Sequence, residues 1–201
     1  MSRRNRVVAG TGRAPLSERG DDLYETPCEA VHALLRIEPL SKERVVWEPA
    51  CGPGAIVRVL RGAGYRVYAT DLVNYACPES ESGVDFLMER LPPFPIGAVV
   101  TNPPFKIADE FVAHALALGI PKVIMLLRLQ FLESKRRSSV LDNGSLARVH
   151  VFSRRLPMMH RAGWQGPKAT SAMTFAWFVW QAGHRGPAEL NRISWEPVRC
   201  G

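Results

Sequence analysis

The sequence predicts a single doubly wound α/β domain, and three stretches carry that prediction. Residues 44–71 read as strand, glycine turn, helix, strand and acid, which is half of a nucleotide-binding α/β unit. Lys122-Val123-Ile124-Met125-Leu126-Leu127 is a near-continuous apolar run, as expected of a central strand buried on both faces. Between them, Ala98-Val99-Val100 leads into Thr101-Asn102-Pro103-Pro104-Phe105, and a helix-period pattern (Ile107, Phe111, Ala115, Leu118) follows. That order is the carboxyl end of a buried strand, a stiff turn and a helix. The two prolines fix φ and hold Asn102 and Phe105 in a defined geometry.

A chain of 201 residues can build one full-sized core but not two ordinary domains. Its 46% hydrophobic and 22% charged residues are those of a globular protein. Lys and Arg number 26 against 19 acids, a formal charge of +7 that favours a polyanionic partner. The four cysteines (Cys28, Cys51, Cys77, Cys200) stand singly, with no zinc spacing. No secretory signal is seen, nor an apolar run of the roughly 18 residues that span a membrane. The expectation is a reduced, cytoplasmic, metal-free protein with its cysteines as core filler.

In chain order, residues 1–22 carry Arg3, Arg4, Arg6, Arg13 and Arg19 among Gly, Ser and Pro, without a period. They read as a flexible basic arm, either touching phosphates or simply solvated, and residues 23–201 as the one domain. Thr26, Pro27 and Glu29 form a helix start with a capping box, and the helix runs to about Ile37. Arg44–Glu48 reads as the first strand, and Gly52 and Gly54 give the tight turn after it. Ala55–Arg61 is a helix, and Tyr65–Thr70 a second strand closed by Asp71, which follows Gly52 at about the spacing where an acid meets a ribose. Residues 77–83 read as a loop, Val84–Leu87 as a short third strand or turn, and Leu91–Pro95 as a connector. Glu133 opens a helix to about Leu141, and strands are expected at Ala147–Leu156, Thr174–Gln181 and Arg192–Trp195. The long loop Pro157–Lys168 mixes large apolar and basic residues, unlike a plain connector.

Taken together, Glu48-Pro49-Ala50-Cys51-Gly52-Pro53-Gly54, Asp71, Asp85-Phe86 and Asn102-Pro103-Pro104-Phe105 resemble the ordered motifs of class I S-adenosylmethionine-dependent methyltransferases. More narrowly they resemble the N6-adenine DNA methyltransferases of the gamma motif order, in a compact, phage-like frame. Tyr24-Glu25-Thr26-Pro27 is similar to that group's amino-terminal cofactor motif. The resemblance implies a Rossmann-like three-layer fold with a seven-stranded, mostly parallel sheet, in which Thr174–Gln181 runs antiparallel. It implies S-adenosylmethionine as cofactor, with Pro49, Ala50, Cys51, Gly52 and Gly54 at its methionine end and Glu48 near its amino group. Asp71, with Leu72 beside it, would meet the ribose. Asp85 and Phe86 would meet the adenine, and Tyr24 and Thr26 the carboxylate end.

The chemistry accounts for the proline motif. An adenine amine is a poor nucleophile because its lone pair is delocalised into the ring. The Asn102 side-chain oxygen and the Pro103 carbonyl can each accept one of its N–H bonds, drawing the nitrogen towards tetrahedral geometry. Pro104 stiffens the turn and Phe105 is the stacking platform for a base lifted from its helix. No separate recognition domain is expected in these 201 residues, so nucleic-acid contact would fall to the basic arm, to Lys135, Arg136 and Arg137, to His160, Arg161, Trp164 and Lys168 in the long loop, or to a partner. DNA is favoured over RNA as partner. The rivals are N6-adenine methylation of RNA, methylation of a protein glutamine, and a nucleic-acid-binding protein on a relic fold.

Overall fold

In a computed structural model, described for residues 23–90, 95–158 and 173–197, one twisted sheet separates two layers of helices. The elements are α1 (Cys28–Ile37), β1 (Val45–Glu48), α2 (Ala55–Gly62), β2 (Val67–Asp71), β3 (Ser80–Ser82), β4 (Ile96–Thr101), α3 (Ala108–Ala117), β5 (Lys122–Arg128), α4 (Ser138–Leu141), β6 (Leu146–Phe152), β7 (Phe175–Gln181) and β8 (Glu189–Ile193). The eight strands lie in the order β3-β2-β1-β4-β5-β7-β6-β8. β7 runs antiparallel to both β5 and β6, and the other pairings are parallel. The order reverses between β1 and β4, so the carboxyl ends of those strands open a crevice there.

β5 shows how the sequence places the core. All five residues from Val123 to Leu127 are buried. Ile124 and Leu126 pack with α1 and α2 on one face, whereas Val123, Met125 and Leu127 pack with α3 on the other. β7 does the same with Trp177 and Val179 opposite Phe178 and Trp180. The indoles of Trp177 and Trp180 are fully buried and donate to the carbonyls of Ala30 at 3.0 Å and Val140 at 2.7 Å. These bonds tie the sheet to a helix on each side.

The architecture agrees with the expected one, with four local differences. An eighth strand, β8, extends the sheet beside β6. The third strand is Ser80–Ser82, inside the expected loop, so that Val84–Leu87, expected as a strand or turn, is the turn: the Asp85 carboxylate accepts from Leu87 N at 3.0 Å and starts a 3-10 turn, Phe86–Met88. The helix from Glu133 is replaced by 3-10 turns at Leu129–Leu132 and Lys135–Arg137 before the single turn of α4. Ser134 accepts from Arg136 N, a local bond that competes with α-helical pairing. α1 begins at Cys28 with Pro27 as its cap and no side-chain cap bond, while Thr26 and Glu29 are buried.

Cys51 and Cys77 are free and buried, but Cys28 is disulfide-bonded, against the expectation of four reduced thiols. Singly spaced cysteines carry no pairing information in sequence. The basic arm, residues 91–94 of the connector and residues 159–168 of the long loop lie outside the described residues.

The turn after β1 requires glycine twice. Gly52 and Gly54 have φ of +50° and +89°, and a Cβ on Gly54 would lie 2.6 Å from Cys77 Sγ. Gly54→Ala is therefore expected to cost about 2 kcal/mol. Gly62→Ala, at a helical position where an added Cβ meets nothing within 4 Å, is expected to be neutral or to gain up to about 1 kcal/mol. Urea midpoints of the two variants check both signs.

Candidate functional site

Three strand ends and the segment before α1 enclose a cavity of about 370 Å³, within the size range of small-molecule sites. Glu48 closes β1, Asp71 closes β2 and Asn102 follows β4, and all three line it. A buried strand must end where its last side chain can turn towards a polar space, so each β-to-α junction delivers one functional group to this edge.

Glu48 is fully buried. Its Oε1 accepts from Thr101 Oγ1 at 2.6 Å, and its Oε2 is buried without a hydrogen-bond partner. Burial pushes its carboxyl well above the usual range. The Thr101 bond and a backbone hydrogen bond from Ala50 oppose this, and the nearby Asp71 charge adds to it. So desolvated, the group favours its neutral form, and a cation beside Oε2 would favour the ionised one.

Asp71 has a double duty. Its Oδ2 accepts from Gly52 N at 2.8 Å and its Oδ1 from Val73 N at 2.9 Å, so it pins the glycine turn and its own loop. Each oxygen keeps a lone pair for a ligand hydroxyl. Just beyond it, Leu72 and Val73 line the cavity while 61% and 38% exposed. Large apolar side chains left in solvent at a cavity rim suit a flat apolar ligand face.

Asn102 is held by its amide. Nδ2 donates to the Tyr24 carbonyl at 2.9 Å, which leaves Oδ1 buried and without a partner. The segment before α1 thus sets which atom of Asn102 is offered as an acceptor.

The other expected site residues fall into three groups. Tyr24, Thr26, Pro49, Ala50, Cys51, Asp85 and Pro104 line the same cavity. Burial raises the Cys51 thiol far above its ordinary value, with Cys77 adding to it, so it stays protonated and inert. Phe86 lines the cavity too, but its ring packs edge-on against Trp47 at 5.0 Å and beside Phe111 at 4.9 Å. Gly54 serves the turn against Cys77 rather than the lining, and Pro103 is buried behind Asn102. Phe105 sits among Tyr24 (ring centroids 5.2 Å apart), Phe175 (5.7 Å) and the Arg128 guanidinium (4.3 Å).

The basic cluster divides by role. Arg136 pairs with Asp109 of α3 at 2.8 Å. Arg137 lies over the Phe131 ring at 4.6 Å and donates to the Phe131 carbonyl. Lys135 is exposed. His160, Arg161, Trp164 and Lys168 lie outside the described residues. Two participants escaped the sequence reading: Thr101, which holds Glu48, and Arg128, at the last position of β5. Their only signal in sequence is a polar residue ending an apolar strand.

No protein-family model and no curated protein matches the sequence. Solved structures do match in fold. A type I restriction-modification methyltransferase subunit from Streptococcus thermophilus superposes with a TM-score of 0.53 at 12% identity, over 86% of this chain and 45% of that one. A dimethyladenosine transferase from Plasmodium falciparum gives 0.54 at 11% identity, over 79% and 62%. A proposed RNA methyltransferase from Pyrococcus horikoshii gives 0.59 at 13%, over 87% and 93%. The chain spans about half the length of the type I modification subunits it matches. Its eight-stranded sheet, with the antiparallel β7 beside β5, is that of the Rossmann-like methyltransferase fold.

Proposed function

We propose that this chain is an S-adenosylmethionine-dependent methyltransferase that modifies the exocyclic N6 of adenine in DNA, with short or weak sequence preference. The observation that carries the reading is Asn102: a buried amide oxygen without a partner, at the edge of a cavity, fixed in place by the bond from its own Nδ2. An acceptor so placed waits for an N–H donor.

The cavity residues fit the cofactor. The unpartnered Oε2 of Glu48 would take the ammonium of its methionine part, and the two Asp71 oxygens the ribose hydroxyls. Leu72 and Asp85 would flank its adenine, and Tyr24 and Thr26 would close the carboxylate end. When bound, the cofactor supplies an electrophilic methyl group on a positively charged sulfur. Asn102 Oδ1 accepts one N6–H and the Pro103 carbonyl the other. The two acceptors localise the lone pair on N6 and hold it in one direction. Phe105 offers its ring to the base, and the net charge of +7 attracts the polyanion that carries it. An adenine of RNA is the second reading, supported by the fold shared with the proposed RNA methyltransferase from Pyrococcus horikoshii.

Incubation with methyl-labelled S-adenosylmethionine and separate DNA, RNA and protein pools tests this. Label recovered as N6-methyladenine from DNA is expected, and label in RNA selects the second reading. Label in protein, or in none of the pools, overturns both.

A separate prediction concerns Asp71. Asp71→Ala removes charged acceptors for two hydroxyls and releases Gly52 N, so cofactor affinity is expected to fall about 10- to 100-fold. Unchanged calorimetric affinity would refute the assignment.

A further inference from the structure

The carboxyl end of β5 places a guanidinium on the aromatic ring of the acceptor motif. Thr101 of β4 pairs with Met125 of β5, so the chain runs on past both strands along one edge. Asn102 to Phe105 leave β4 there, and Arg128 ends β5. Arg128 Cζ lies 4.3 Å from the Phe105 ring centroid. Arg128 also pairs in register with Phe175 of β7, whose ring is 5.7 Å from that of Phe105.

Arg128 differs from several other arginines of the chain in what its nitrogens meet. Arg58 pairs with Glu25, Arg136 with Asp109 and Arg148 with Glu38, while Arg61 and Arg137 donate to backbone carbonyls. Arg128, half-buried, makes no hydrogen bond or ion pair among the described residues, and its Nε is buried without a partner. A guanidinium carries five N–H donors in a planar fork. The face of Phe105 attracts its charge but satisfies none of those donors. The group is therefore positioned, with its Nε desolvated and no donor spent on another described residue.

The acceptor for this fork follows by accounting for the nucleotide in the proposed site. Its N6 edge belongs to Asn102 and Pro103, and its base to the side of the Phe105 ring that the Arg128 guanidinium leaves uncovered. What remains is the sugar and phosphate, which must lie towards the rim. A phosphate has the charge and the geometry that a planar guanidinium matches with two parallel bonds. We propose that Arg128 binds the backbone phosphate of the nucleotide whose base enters the acceptor site, holding it beside Phe105. The inference rests on the adenine-acceptor reading above. It adds a residue that recognises the strand rather than the base and that orients N6 by holding the nucleotide's other end.

The experiment compares the full-length protein with Arg128→Met, which keeps an apolar stem against Phe105, and Arg128→Lys, which keeps the charge. Binding of a short adenine-containing DNA duplex is measured across a salt series, with methyl transfer to the same duplex and calorimetric S-adenosylmethionine affinity. The salt slope of log K against log salt is expected to fall by about 0.9 in Arg128→Met, the loss of one phosphate contact. The KM for the duplex should rise about tenfold, with cofactor affinity within twofold. Arg128→Lys is expected to restore the slope. A slope in Arg128→Met equal to that of the wild type overturns the proposal, whatever happens to turnover. So does a cofactor affinity that falls in step with DNA binding, which makes Arg128 a wall of the site. If the wild type itself transfers no methyl to nucleic acid, the acceptor reading fails first and this one with it.

Discussion

Asn102→Ala is expected to lower methyl transfer about 10²- to 10³-fold while cofactor affinity stays within a few-fold. The range is that of removing one preorganised polar group from a reacting centre. The geometry says why the loss falls on turnover. Oδ1 is buried and unpartnered, so it costs nothing to reorganise when a donor arrives. Nδ2 is already committed to the Tyr24 carbonyl, so the amide cannot turn its nitrogen towards the substrate without breaking that bond. Alanine removes both. Single-turnover transfer and calorimetry separate the two consequences. Retained turnover would sink the role of Oδ1. An affinity loss beyond tenfold would mean that the Asn102–Tyr24 bond chiefly holds the cavity wall, because Tyr24 and Thr26 line the same space.

This site was legible in sequence where its chemistry is local. The glycine turn could be read because two positive-φ positions within three residues accept little else. The place of Asp71 could be read because an alternating strand pattern ends on it, and the structure closes β2 there. The Asn-Pro-Pro-Phe segment could be read because prolines stiffen a chain whatever surrounds it. What could not be read depends on strands that meet only in the fold. That Arg128 lies on Phe105 requires β5 beside β4, and no spacing between positions 105 and 128 announces it. The helix expected from Glu133 failed for a related reason: Arg136 and Arg137 are drawn to Asp109 and Phe131 on other elements, while Ser134 bonds locally. Val84–Leu87 could be read only as a strand or a turn, and the Asp85 carboxylate decides for the turn by capturing the backbone locally.

A buried charged residue that no motif contains ties α1 to the sheet. Glu38 follows α1 and is 2% exposed, yet it is charged. Arg148 of β6 donates to it from Nε and, at 3.2 Å, from Nη2. Lys122 Nζ of β5 is 3.2 Å away, and His150 Nε2 of β6 is 2.8 Å away. Burial alone would raise its carboxyl, but the His150 and Arg148 bonds and the Lys122 charge outweigh that and hold it at about 2, against an ordinary 4.5. Glu38→Gln leaves Arg148 and Lys122 crowded together with no counter-charge, at an expected cost of about 3–5 kcal/mol. The pH dependence has a definite sign. A carboxylate whose pKa is lower in the folded state stabilises the fold above its unfolded value and loses that contribution as pH falls. The wild type is therefore expected to lose about 3 kcal/mol as pH drops from about 5 to about 2, through this group alone. Glu38→Gln, with no carboxyl there to protonate, should lose that much less over the same window. Urea midpoints at about pH 7 and about pH 3 read both effects, and a variant that keeps the wild-type slope would show the acid sensitivity to lie elsewhere. The network stands at the amino end of β5, where Lys122 begins the strand, and the acceptor site stands at its carboxyl end beside Arg128. Methyl transfer by the folded fraction should therefore survive the substitution, which separates the device that holds the sheet together from the one that does the chemistry.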